Sequence, residues 1–96
     1  MHRFMIQVEH DPDTLACANV VKTFLQTGSH YLAGADWGCI DGEHSAWMVV
    51  DAESHEEARS IVPPPYRSQA LVVKLNKFTM AEIDEIMRHH SKRADT

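Results

Sequence analysis

Residues 35–51 read Ala-Asp-Trp-Gly-Cys-Ile-Asp-Gly-Glu-His-Ser-Ala-Trp-Met-Val-Val-Asp. Asp41-Gly42 sits between two strand-like runs, Ala35 to Ile40 and His44 to Asp51, and reads as the turn of a β-hairpin. A type I′ turn needs positive φ at both central residues, which Asp and Gly tolerate. With a two-residue loop, Ile40 would pair with Glu43, Cys39 with His44 and Trp37 with Ala46. Opposed residues share a sheet face, with Cβ atoms roughly 4.5–5.5 Å apart. The run Trp47-Met48-Val49-Val50 is apolar at every position. Such a strand expects cover on both faces.

The flanking segments supply the rest of a sheet. Residues 2–10 alternate, with Phe4, Ile6 and Val8 on one side and Met5, Gln7 and Glu9 on the other. That period of two predicts a strand. Asp11-Pro12-Asp13 then opens a helix, whose stripe of Cys17, Val20, Val21, Phe24 and Leu25 follows helical spacing up to a stop at Gly28. Membership of that stripe makes Cys17 a packed thiol. Ser54-His55-Glu56-Glu57 is a capping box for a second, short helix that the three prolines 63–65 terminate. Ala70 to Lys77 alternates as a fourth strand, with Leu71, Val73 and Leu75 on one face and Val72, Lys74 and Asn76 on the other. Thr79 to Glu82 caps a last helix over about residues 80–90.

The order β-α-β-β-α-β-α predicts an α+β fold of ferredoxin-like βαββαβ type, an antiparallel four-stranded sheet plus a C-terminal helix. Residues 1–96 form a single domain, with a core over about 2–78. Two helices cover one sheet face, and the both-sided apolar strand needs the other covered too. A second copy packed face to face is the expected cover, making the chain a homodimer. The competing arrangement is a monomer whose last helix folds back over its own sheet.

Composition narrows the function. The chain has 96 residues, 44% of them apolar, and a formal charge of -5. Residues 1–66 carry ten Asp/Glu against three Lys/Arg. An acidic chain without a basic stripe lacks the cations that neutralise phosphates, so nucleic acid is not an expected partner. No apolar run approaches the ~18 residues of a membrane span, so no membrane partner is expected either. Phe4-Met5-Ile6 followed by Gln7 and Glu9 does not read as a signal peptide. Two cysteines 22 positions apart form no disulfide framework, which fits a reducing cytoplasmic location.

The strand FMIQVEH, the stretch WGCIDGEHSAWMVVDAESHEEARSIVPP and the closing VVKLNKFTMAEIDEI together resemble the dimeric α+β barrel superfamily. They are similar in pattern to muconolactone-isomerase-like proteins, GYD-motif domains and a small nickel-binding family. The Gly-Tyr-Asp of the GYD domains is replaced here by Asp41-Gly42-Glu43-His44. The resemblance implies a dimer with a pocket between sheet and helices. It implies no single chemistry, since the superfamily includes isomerases, monooxygenases and metal binders.

Three functional readings stay open. In the first, an enzyme-like pocket takes a small polar or aromatic ligand. Glu9, His44 and Lys74 are its catalytic candidates, and Gln7, Trp37 and Asn76 its binding candidates. Glu9 and Lys74 should lie on neighbouring strands as an acid–base pair. In the second, Cys39 and His44 bind a transition metal of the nickel or zinc type, with His10 among the residues able to complete the shell. The third is a non-catalytic assembly or regulatory domain. Whether Cys39 and His44 face the helices or the open side is undecided, because Trp47/Val49 and Met48/Val50 are both apolar.

Overall fold

The computed structural model describes the backbone of residues 1–94 and the side chains of residues 1–90. Its strands are β1 (His2–Glu9), β2 (Asp36–Trp37), β3 (Ser45–Ala52) and β4 (Ala70–Lys74). Its helices are α1 (Thr14–Gln26), α2 (His30–Ala33), α3 (His55–Ser60) and α4 (Met80–Ala94). The strands form one sheet in the order β2-β3-β1-β4. Every neighbouring pair is antiparallel, as in the ferredoxin-like α+β arrangement.

The alternation in β1 decides which face is which. Phe4, Ile6 and Val8 are fully buried and oppose Val50, Met48 and Ala46 of β3. Ile6 and Val8 also oppose Val72 and Ala70 of β4. These residues meet Val20 and Phe24 of α1, Leu32 of α2, and Ala58 and Val62 at α3 in a single core. Met48 and Val50 therefore face the helices, whereas Trp47 and Val49 face outward. In β4 the outward residues are Leu71 and Val73, and Val72 and Lys74 take the helix side, so Lys74 does not share a face with Glu9 as the expected acid–base pair requires. Leu71 pairs with Gln7, which is itself outward.

The helices form where their caps predict. The Asp13 carboxylate accepts from Ala16 N at 3.2 Å and opens α1. Gly28, at φ 80°, turns the chain away beyond Thr27. Ser54 Oγ accepts from Glu57 N, and the Glu57 carboxylate in turn accepts from Glu53 N. Thr79 and Glu82 cap each other reciprocally. Leu25 does not join the α1 stripe and is 58% exposed. The short sheet offers that helix a seam only wide enough for Val20 and Phe24, with Cys17 and Val21 half-buried beside them. After α3, Arg59 donates to the carbonyls of Arg67 and Ala70, and Arg67 donates to those of Ser60 and Val62. Two guanidinium groups thus clamp the proline-rich connector onto the start of β4.

The hairpin departs from its expected form. Trp37 pairs with Ala46 as the spacing predicts, but β2 ends there. Cys39–Asp41 forms a 3-10 turn, and only Gly42, at φ 90°, enters the left-handed region. A type I′ turn is therefore absent, and Cys39 is not a ladder partner of His44. The cause is Gly38. Its N–H bonds Ser45 O, and its carbonyl accepts from both Asp41 N and Glu43 N. A Cβ at Gly38 would lie 2.7 Å from both Glu43 O and the Trp47 ring. Gly38→Ala should therefore displace the loop and destabilise the fold by about 1–3 kcal/mol. Urea denaturation would read this as a lower midpoint.

β4 stops at Lys74 rather than Lys77, although Leu75 N still reaches Arg3 O at 2.8 Å. Beyond it, α4 leaves the body. Met80, Ile86 and Met87 are exposed, as is Phe78 ahead of the helix. The molecule spans 57 × 29 × 21 Å. Its last helix does not lie over its own sheet, and Val49 and Leu71 remain more than half exposed on that face.

Candidate functional site

One end of the sheet gathers most of the reactive side chains. β1 runs toward His10, α1 starts just after it, and the β2–β3 loop lies at the same end because β3 is antiparallel to β1. His10 extends the ladder past β1 by donating its N–H to His44 O at 3.0 Å. This pins the two histidines to each other through the backbone. Their rings meet edge-on, with centroids 5.9 Å apart. Cys39 enters from the 3-10 turn, with its Sγ 3.1 Å from His10 Nε2. The candidate ligand atoms of His10, Cys39 and His44 all lie within 4.8 Å of one another. Cys17, on the first turns of α1, donates its thiol to Cys39 Sγ at 3.0 Å.

Burial shapes the protonation of this group. His10 is buried, and loss of water together with the neighbouring His44 lowers its pKa below the ordinary histidine value of 6.5. Its imidazole is therefore held neutral, the form that donates a lone pair. Cys39 is pushed up to about 11, first by loss of water and then by its hydrogen bond with Cys17. Cys39 therefore rests as a thiol. His10 Nδ1 and His44 Nδ1 are both buried without a hydrogen-bond partner. Orphaned polar atoms of this kind cost roughly 1–3 kcal/mol each and call for a partner that none of the described residues supplies.

A tetrahedral ion held by sulfur at ~2.3 Å and nitrogen at ~2.0 Å needs its ligand atoms about 3.3–3.8 Å apart. The His10–Cys39–His44 cluster is close to that size. Its donors, two neutral-capable imidazoles and one thiol, suit a borderline divalent ion such as zinc or nickel. The group could hold a metal ion, and among the described residues no fourth His, Cys or carboxylate ligand atom lies within 4.8 Å of all three.

The other expected site residues divide. Gln7 and Glu9 share an outward cleft of about 290 Å³ with Gln69 and Leu71. Glu9 also borders a cleft of about 220 Å³ with His10, Glu43, His44 and Ser45. Lys74 joins neither cleft. It opposes Phe4, whereas Glu9 opposes Ser45 near the other end of β1 and on the other face. The expected Glu9–Lys74 pair is thus not formed. Asn76 lies beyond the end of β4. Trp37 packs its ring on Phe24 and His10, with centroids 5.1 and 5.8 Å away, and so supports His10 from behind. Cys17 was the residue that pattern reading placed in the core. Its position four residues past the helix cap, beside the end of β1, is the signal that puts it next to Cys39.

Comparison with protein-family models, curated proteins and solved structures found no match to this chain.

The pKa shifts set a pH dependence for the metal-free protein. His10, lowered on folding, contributes stability that is present above pH 6.5 and lost as pH falls through its folded value. Cys39, raised on folding, contributes stability present below pH 9.0 and lost between there and about pH 11. Urea midpoints measured across pH should decline at both ends. His10→Ala should flatten the acid limb, and Cys39→Ala the alkaline one.

Proposed function

We propose that this chain binds one borderline transition-metal ion, of the zinc or nickel class, through His10, Cys39 and His44. The observation that carries the reading is the convergence within 4.8 Å of ligand atoms from two imidazoles and a thiol, on three segments that the backbone locks together. Three protein ligands leave a fourth position. The cleft bordered by Glu9, Glu43 and Ser45 adjoins both histidines, so water or a small polar molecule fills that position in this reading. Because Cys39 is protonated at rest, metal uptake displaces its proton, and affinity falls as pH falls.

Reduced, metal-stripped protein titrated with zinc or nickel should bind about one equivalent per chain. His10→Ala, Cys39→Ala and His44→Ala should each weaken binding by at least roughly 10–100-fold. Calorimetry in buffers of different ionisation enthalpy should show a proton released. Binding unchanged in all three variants overturns the reading.

A second reading concerns the outward sheet face. Val49, Leu71 and Val73 are exposed there beside the half-buried Met5 and Trp47, forming an apolar surface over which no other described element lies. A second copy of the chain, related by a two-fold axis, covers it in this reading, because an apolar face of this kind is self-complementary. Val49→Lys places a charge in the middle of that face. Light scattering should give twice the chain mass for the native protein and the single chain mass for the variant. Zinc binding should persist in the variant.

A further inference from the structure

Cys17 has no part in the three-ligand cluster, yet its sulfur is 3.0 Å from that of Cys39. Both thiols are half-buried and unbridged. A disulfide has its sulfurs at ~2.05 Å, so closing the pair needs an approach of about 1 Å. Side-chain rotation supplies that much. The two residues stand on separate segments, α1 and the 3-10 turn, held at fixed spacing by the sheet end. A cleft of about 330 Å³ is lined by Cys17 and Cys39 together with Pro12, Thr14, Ile40 and His44. Ile40 is completely exposed at its lip. The thiols are thus within reach of a small oxidant and of each other.

We propose that Cys17 and Cys39 form a reversible redox pair that controls the metal site. The oxidant is a hydroperoxide. One thiol gives up its proton to the departing oxygen as its sulfur attacks the terminal peroxide oxygen. The O–O bond breaks, the alcohol or water leaves with a proton, and a sulfenic acid is formed. The second sulfur then attacks the sulfenyl sulfur. The S–O bond breaks, and water leaves carrying the thiol proton. In total two thiols give up two electrons and two protons, and the hydroperoxide is reduced to an alcohol and water, or to two waters when it is hydrogen peroxide. The disulfide removes Cys39 from the metal. Two histidines do not retain it, and the ion leaves. Reduction by a dithiol restores the site. The control of metal rests on the metal-binding reading above, whereas formation of the disulfide does not.

The test uses the full chain, reduced and loaded with zinc, treated with a small excess of hydrogen peroxide. Intact mass should fall by about 2 Da for the two hydrogens lost, with the chain still a single covalent unit. A chromophoric indicator should report zinc released in step with that loss, and dithiothreitol with fresh zinc should reverse both. Cys17→Ser and Cys17→Ala should bind zinc as the native protein does and release it roughly ten-fold more slowly under the same treatment. Circular dichroism and thermal melting establish that each variant is folded, and having two variants guards against one misfolding. Disulfide formation without zinc release, or equal release from both folded variants, overturns the control of the metal. Absence of the 2 Da loss overturns the redox pair itself. If the reduced protein takes up no zinc, the metal reading fails, and the mass change in metal-free protein still decides whether the thiols pair.

Discussion

The structure depends on the register in which β1 meets β3, with Val8 opposite Ala46 and Ile6 opposite Met48. Side chains alternate along a strand, so a slip of one residue would carry Phe4, Ile6 and Val8 from the core to water. At roughly 1.5–3 kcal/mol for each large apolar side chain exposed, that slip exceeds any gain from the outward face. The same register, continued one step beyond Glu9, delivers His10 to the carbonyl of His44. Core and candidate site are therefore one constraint. The burial that holds the sheet also sets the distance between two imidazoles.

The fold was legible because its signals are local. The alternation of β1, the Asp13, Ser54 and Thr79 caps, and the Trp37–Ala46 pairing can each be read within a few residues and agree with one another. The phase of β4 was not legible. Leu71, Val72 and Val73 are all apolar, and only pairing with β1 selects Val72 for the core. That choice also separates Lys74 from Glu9. The form of the hairpin was hidden for a different reason. Asp41-Gly42 satisfies the type I′ preference, but the Trp47 ring occupies the space over Gly38 and selects a tighter 3-10 turn.

The candidate site was half legible. Hairpin spacing nominates Cys39 and His44, with His10 among the residues able to complete the shell, and the three do meet, although through the loop and the strand end and not through a ladder pair. Cys17 was read from helical periodicity, which reports that a residue faces the sheet but not which part of the sheet it faces. Its height along the helix carries that information. A residue in the first turns of a helix that follows a strand lies over that strand's end, where loops gather and water is near.

The projecting α4 has a hydrodynamic meaning. A compact chain of this length has a radius of gyration near ~12.5 Å, and here it is 17.9 Å. One helix therefore sets much of the molecule's friction, while the sheet and its histidine–cysteine end contribute an ordinary globular body. Swinging α4 onto any surface would contract the particle without altering its mass or its core. Diffusion and sedimentation thus report the position of that helix almost independently of what happens at His10 and His44, and the two ends of the molecule can be followed by separate signals.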